Sequence, residues 1–425
     1  MIRSMFTAIS ALSLHQKYLD VVSNNLANAN TTGYKASRVL FQDQYAQMMS
    51  PGASPTTTQG GTNPAQIGLG VTMGYVSPNF TQGTLQSTGR NMDLGIQGDG
   101  FFVYGQDAGR RYSREGSMSL DSGGYLVDAA TGLRTQGWMV AAGAAGVDTN
   151  LPATDIQVVT DKTQAKATEN IVLGGNLTAN GTVGDKVTVS MGVYDSLGSL
   201  RKASVEFTRT AAASGGAWDW KIVDPATPPD PAMVGNGSVI FDAKGQFVPA
   251  DPAATPPVVN PVIGVAVSIP GSTGANAIAP TIDFSKLTML STTSSAAITS
   301  QDGLPSGTVS DVFISPNDGT ISLVYTNGLR EQVGQLALAR FTNPTGLVRG
   351  EHTTFLAGLN SGEPEIGTAS TGGRGSIASG YLEASNVDMA QEFTNMILAQ
   401  RGFQASSRVI TTSDEILQEL VNLKR

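Results

Sequence analysis

The hydrophobic and polar positions divide the chain into two helical ends and a β-rich middle. From Ile2 to about Asn28 there is neither Pro nor Gly, and apolar residues recur at Met5, Ile9, Leu12, Leu19 and Leu26, stepping by four and three through Gln16 and Ser23. That period predicts one long helix with a heptad-like stripe. From Val387 to Leu423 the period returns in Met389, Phe393, Met396, Phe403, Ile410, Leu417 and Val421, with Gln400, Ser407 and Asp414 filling the seam. Ser385 and Asp388 resemble a capping pair ahead of this helix. At roughly 1.5 Å per residue the two helices would span about 40 Å and about 55 Å. Polar seam positions suit helix-to-helix assembly in a fixed register better than a dry core. A stripe that finds no partner in its own chain would wait for one in another.

Between the ends, short alternating runs are punctuated by Gly, Asn and Asp. Tyr112–Leu120, a turn over Asp121–Gly124, and Tyr125–Val127 read as strand, turn and strand. Val309–Ile314 and Ile321–Tyr325 around Pro316-Asn-Asp-Gly319 read as a second hairpin. Further strands are expected over about 171–210 and 217–223, where Trp218 and Trp220 alternate around Asp219 and place both rings on one face. Ten of the twenty prolines fall between Pro225 and Pro270, which excludes a continuous central strand there. That piece reads as loops around strands such as Ser238–Phe241 and Val262–Ile269. Ser50–Gly70 and Ser361–Gly380, rich in Gly, Thr and Ser, read as connectors that would act as hinges. Their near-symmetric placement implies nesting, in which end pairs with end and the centre is an insertion.

Composition narrows the function. Of 425 residues only 14 % are charged, Gly numbers 50, and the net charge is −8. Phosphate contacts need clustered Lys and Arg, so nucleic acid is not an expected partner. No apolar run approaches membrane-spanning length, so no membrane insertion is expected, and no compact signal-peptide core opens the chain. Without Cys, and with only His15 and His352, disulfides, thiolate metal sites and Cys nucleophiles are excluded. Ser199-Leu-Arg-Lys202 matches a Ser-x-x-Lys nucleophile but lacks its companion motifs and lies between β segments. Asp93, Asp99, Asp107 and Asp121 do not fit a calcium-loop spacing. The expectation is a structural protein, not an enzyme, with no cofactor and no metal. A secreted carbohydrate-active β protein using paired carboxylates is the reading from another class.

Longer motifs carry a specific likeness. Ser23-Asn-Asn-Leu-Ala-Asn-Ala-Asn-Thr-Thr-Gly-Tyr-Lys35 resembles the N-terminal signature of the bacterial flagellar rod and hook family. Gly380-Tyr-Leu-Glu-Ala-Ser-Asn-Val-Asp388 and Met396-Ile-Leu-Ala-Gln-Arg-Gly-Phe-Gln-Ala-Ser-Ser-Arg-Val-Ile410 resemble its C-terminal signature, with Gly402 where the family often has Ala. Thr88–Phe102 and Tyr112-Ser-Arg-Glu-Gly116 resemble its outer domain. About 150 residues separate the conserved blocks, and Ile171–Thr178 with Val193–Gly198 resembles the outermost β domain of the hook-forming branch. The shorter, rod-forming branch is the alternative.

The resemblance implies a mainly β fold with long terminal α-helices and nested domains. Residues 1–30 and 381–425 would form a coiled-coil-like helical core. Residues 31–72 and 361–380 would be connectors, 73–145 and 300–360 an inner β domain, and 146–299 an outer β domain inserted in the inner one. It implies an extracellular homopolymer, a curved flexible tube that transmits torque from rod to filament. Partners would be the chain itself, the flagellar rod, hook–filament junction and hook cap proteins, and the type III export apparatus. The residues expected to carry subunit assembly are Met5, Ile9, Leu12, Leu19, Leu26, Met389, Phe393, Met396, Phe403, Ile410 and Leu417. Asn24, Asn25 and Asn28, at the helix end, are expected to offer amides to a neighbouring subunit.

Overall fold

A computed structural model describes residues 2–106, 109–141, 143–144, 146–211, 216–224, 234–249, 265–266, 269 and 274–422. Most of the expected strand Val262–Ile269, and the chain end beyond Asn422, lie outside the described residues. The fold is mainly β, with one long helix at each end: α1 (Ile2–Ala27) and α2 (Met389–Asn422). The chain divides into two compact units. One comprises 1–158, 312–322 and 332–425, the other 159–311 and 323–331.

In the first unit, α1 and α2 pack side by side. Asn25 bonds Glu392 while His15 lies against Gly402, so the helices run antiparallel. α1 stops where the asparagines begin. The Asn28 N–H bonds back to the carbonyls of Asn24 and Asn25, and Gly33 turns the chain at φ +68°. A Cβ at Gly33 would sit 2.7 Å from the Glu115 nitrogen, so this turn needs Gly on two counts. At the other end Asp388 is itself the N-cap. Its Oδ1 accepts the Ala390 and Gln391 N–H groups at 2.9 and 3.1 Å, while Ser385 only bonds the Val387 N–H.

The stretch after α1 departs from the connector expected of it. β1 (Ser37–Asp43) and β2 (Ala46–Ser50) pair antiparallel with β4 (Val71–Pro78) and β3 (Ala65–Gly68) to make a two-stranded ribbon. Alternating residues such as Val39, Phe41, Met73 and Tyr75 supply β propensity that the Gly- and Thr-rich tip between them concealed. Phe41 anchors the ribbon on α1, edge-on to Tyr18 at 5.5 Å and to His15 at 6.5 Å. The second expected connector also pairs: Glu365–Thr368 lies on Arg330–Arg340, and Ser376–Ser379 on Leu94–Gln97.

The β core of this unit is aromatic. Phe101, Val103, Tyr112, Ala339, Phe341 and Phe355 are buried together, with Phe80 packed against them. Their rings meet edge to face at centroid distances such as 4.8 Å for Tyr112–Phe341 and 5.1 Å for Phe80–Phe355. The hairpin expected around Pro316–Gly319 is present, its turn made with positive φ at Asn317 and Gly319.

The second unit holds two four-stranded sheets. Lys186–Tyr194, Leu200–Thr210, Gly216–Val223 and Asn236–Phe241 form an antiparallel meander. In the other sheet Asn170–Asn176 runs parallel to Thr281–Thr288 and antiparallel to Ala297–Gln301. Both sheets contribute to one core that contains Phe207, Trp218, Trp220, Phe241 and Phe284. The two tryptophans share the inner face as their alternation requires, with Asp219 exposed between them.

Candidate assembly surfaces

The face each helix buries coincides only in part with the stripe that its large apolar residues trace. On α1 the buried residues are Ala8, Leu14, Val22 and Asn25, and on α2 Ala399 and Ser413. Half-buried neighbours extend the α2 seam through Glu392, Met396, Phe403, Ser406, Ile410 and Leu417, a regular alternation of fours and threes. Several of these positions lie one residue before the predicted stripe: 392 for 393, 399 for 400, 406 for 407 and 413 for 414. Small residues explain the offset, since Ala8, Ala399, Gly402, Ser406 and Ser413 let the backbones approach. A Cβ on Gly402 would lie 2.5 Å from the His15 ring, which gives the departure at Gly402 a packing reason. Large hydrophobic residues alone trace only half of this seam, and small residues at the same spacing supply most of the rest.

Of the expected assembly residues, Met396, Phe403, Ile410 and Leu417 lie in the α2 seam itself, while Ile9, Met389 and Phe393 sit on the flanks of the pair. Ile9 is 45 % exposed, and Met389 and Phe393 are each 51 % exposed. Met5, Leu12, Leu19, Leu26, Met396, Phe403, Ile410 and Leu417 are half-buried. Asn24 is exposed and Asn28 half-buried, and these two bond each other through Asn28 Nδ2. Asn25 is placed otherwise than expected. It is buried, its Nδ2 donates to the Ser37 carbonyl, and its Oδ1 accepts from Ser37 N–H and the Tyr34 hydroxyl. Both ends of that amide are used inside the chain.

The two terminal signatures meet at a buried polar clamp. Lys35 Nζ donates to Glu383 Oε1 at 2.6 Å and to the Thr81 carbonyl at 2.8 Å. Glu383 also accepts the Gly83 N–H at 2.8 Å and faces Arg114 Nη1 at 3.4 Å. All three side chains are at most 3 % exposed. Burial pushes the Lys35 ammonium below the ordinary lysine range, against the pull of Glu383, and lowers Arg114 in the same way. Around this centre Asn386 Oδ1 accepts Ala36 N–H while its Nδ2 donates to the Asn79 and Thr81 carbonyls. Arg349 donates to the Lys35 carbonyl and stacks over Tyr34. Glu115 accepts from the Thr32 and Thr353 hydroxyls. The signatures thus fix the exit angle of α1 and the entry angle of α2 by bonds within one chain. One sequence cannot show this clamp, because Lys35 and Glu383 stand 348 residues apart.

The ribbon adds a surface that sequence reading missed. Tyr45 is 78 % exposed, and Met48, Met49, Ile67 and Tyr75 are exposed as well. Among the described residues no group of three or more His, Asp or Glu is placed to hold a metal ion. No described helix is long and apolar enough to cross a membrane.

Residues 5–35 match the family model for the flagella basal body rod protein, and 378–423 that for the flagellar basal body rod FlgEFG protein C-terminal region. Residues 182–304 match the flagellar basal body protein FlaE D2 domain. The chain is 35 % identical to the flagellar hook protein FlgE of Borreliella burgdorferi, covering 100 % of both chains. It is 34 % identical to that of Treponema pallidum, again over 100 % of both. A crystal structure of Helicobacter pylori flagellar hook protein FlgE2 aligns with a TM-score of 0.48 at 16 % identity, over 70 % of this chain and 100 % of that one.

Proposed function

The chain belongs to the flagellar hook protein family, and from that premise we propose how its parts serve a polymer. It is a structural subunit of the bacterial flagellar hook, in the external flagellum continuous with the basal body. Copies polymerise into a curved, flexible tube that passes torque from rod to filament. The observation that carries the mechanism is the apolar surface left on both terminal helices although they already pack on each other: Phe6, Ile9, Met389, Phe393, Leu398 and Ile416 are all at least 45 % exposed. Side chains of this size gain stability when water is excluded, about 1.5–3 kcal/mol for full burial of each. In a homopolymer the partner that buries them is another copy.

In this reading the helix pair, 1–30 with 381–425, lines the tube as a coiled-coil-like core. Residues 31–72 and 361–380 join it to an inner β domain, 73–145 with 300–360, into which an outer β domain, 146–299, is inserted. Met5, Ile9, Leu12, Leu19, Leu26, Met389, Phe393, Met396, Phe403, Ile410 and Leu417 contact neighbouring subunits. The clamp at Lys35 and Glu383 supports that assignment, because it sets the helix pair at a fixed angle on the β core and so repeats one geometry in every copy. The chain acts by assembly and not by catalysis. It leaves the cell unfolded through the flagellar type III channel, a route that suits a sequence without cysteine. Its other contacts are the rod, the hook–filament junction proteins and the hook cap.

Electron microscopy of the assembled full chain tests the function. Curved tubes are expected. Straight rods would move the chain to the rod-forming branch, and a chain that stays monomeric under assembling conditions would refute the proposal.

A further inference from the structure

Among the described residues, a concave apolar surface and a convex one are left uncovered. The concave one is a cavity of about 470 Å³ between the N-terminal half of α1 and the ribbon, lined by Arg3, Phe6, Ile9, Gln44, Tyr45 and Leu69. Phe6 is 60 % exposed there and Tyr45 78 %. The convex one is a ridge on α2. Leu398, Ala405, Val409 and Ile416 follow one another through Gly402 and Thr412 in steps of four and three. Leu398, Val409 and Ile416 are 62, 43 and 46 % exposed. This ridge faces away from the seam that α2 buries against its own α1 except at Gly402, which packs on His15.

An open helical polymer needs two different surfaces on the same subunit that complement each other, whereas a self-complementary patch closes into a dimer. A groove and a helical ridge of matching polarity are such a pair, and an amphipathic helix laid in an apolar groove is a recurrent recognition mode. At the C-terminal end of the ridge charge agrees with shape, while Arg401 and Arg408 lie farther back along α2. Arg3 at the groove forms no ion pair among the described residues, and α1 carries no acidic residue before Asp20. Glu419, one turn beyond Ile416, is exposed and likewise forms no ion pair among the described residues. Resting on the polymer reading above, we propose that the groove between α1 and the ribbon receives the Leu398–Ile416 ridge of α2 from a second copy of the chain.

The chain has no cysteine, which makes the test direct. Two full-length variants, Tyr45→Cys and Val409→Cys, are mixed, assembled and oxidised. A disulfide joining one of each can form only between chains. The expected result is a mixed dimer in the assembled tubes and none in the same mixture held as dilute monomer. Tubes of the two variants that yield no mixed dimer overturn the groove-and-ridge contact while leaving the polymer reading standing. A wild-type chain that forms no tubes overturns both. In a second measurement, Tyr45→Asp, made at an exposed position, raises the critical concentration for polymerisation by roughly tenfold or more with an unchanged circular dichroism spectrum. An unchanged critical concentration contradicts the proposal.

Discussion

Replacing Glu383 with Ala should destabilise the first unit more than any exposed substitution in it. The carboxylate is 0 % exposed in its side chain, one oxygen holds Lys35 at 2.6 Å and Gly83 N–H at 2.8 Å, and the other faces Arg114 at 3.4 Å. Removing it takes the ion-pair partner from two buried cations, of which Arg114 keeps only the pull of Asp99, a change that costs about 3–5 kcal/mol. Lys35 keeps the Thr81 carbonyl, so the expected loss is at the lower end, about 3 kcal/mol. With a urea slope of about 2 kcal/mol per molar, the transition of this unit should move down by about 1.5 M. Far-UV circular dichroism of the full chain against urea reads that shift. The alkaline limb gives a second check. Burial already holds the Lys35 pKa below its unfolded value, so the folded unit sheds that proton first. Stability then rises with pH between the two values. Without Glu383 the folded value falls further, and the rise begins closer to neutral pH. A midpoint within about 0.3 M of wild type, with an unaltered pH profile, would refute the claim that Glu383 compensates two buried charges.

Three more expectations follow from the packing. In the second unit burial opposes ionisation of Asp302, but the Asn170 and Glu169 N–H groups, the Asn170 amide and Lys166 outweigh it and hold its carboxyl at about 2. A depressed carboxylate contributes stability that is present above its unfolded pKa near 4 and is lost as pH falls through about 2. Allowing for its partial exposure, Asp302→Asn should cost about 1–2 kcal/mol at pH 7, with the gap closing toward pH 2 in acid titrations of unfolding. Gly402→Ala should weaken the helix pair in the wild-type chain, because the His15 ring must move, yet stabilise it by about 1 kcal/mol in a His15→Ala background. A double-mutant cycle on thermal unfolding reads the sign change. Trp220→Ala, which removes a buried ring 5.1 Å from Phe284, should cost the second unit about 3–5 kcal/mol in its own unfolding transition.

Legibility followed the range of the interactions. Periodicity within one element located both helices, the hairpin turn at Asn317 and Gly319, and the shared face of Trp218 and Trp220. Choices made between distant segments were hidden. The helices bury a face that alternates small and large residues, and half of the stripe predicted on α2 points about one residue away from it. The ribbon was hidden because its tip is rich in Gly, Pro and Thr while its arms pair residues that stand 15 to 41 positions apart. Asn25 looked like an available amide at a helix end. Only the fold shows that Ser37 and Tyr34 consume it.

The central claim is that the terminal helices carry assembly while the β units fold without them. Sedimentation and electron microscopy of full-length chain beside variants lacking residues 1–30 or 387–425 measure this most directly. The account predicts tubes from the full chain, none from either truncation, and β units in the truncated chains that still give cooperative unfolding transitions. Tubes that assemble normally after both deletions would contradict it.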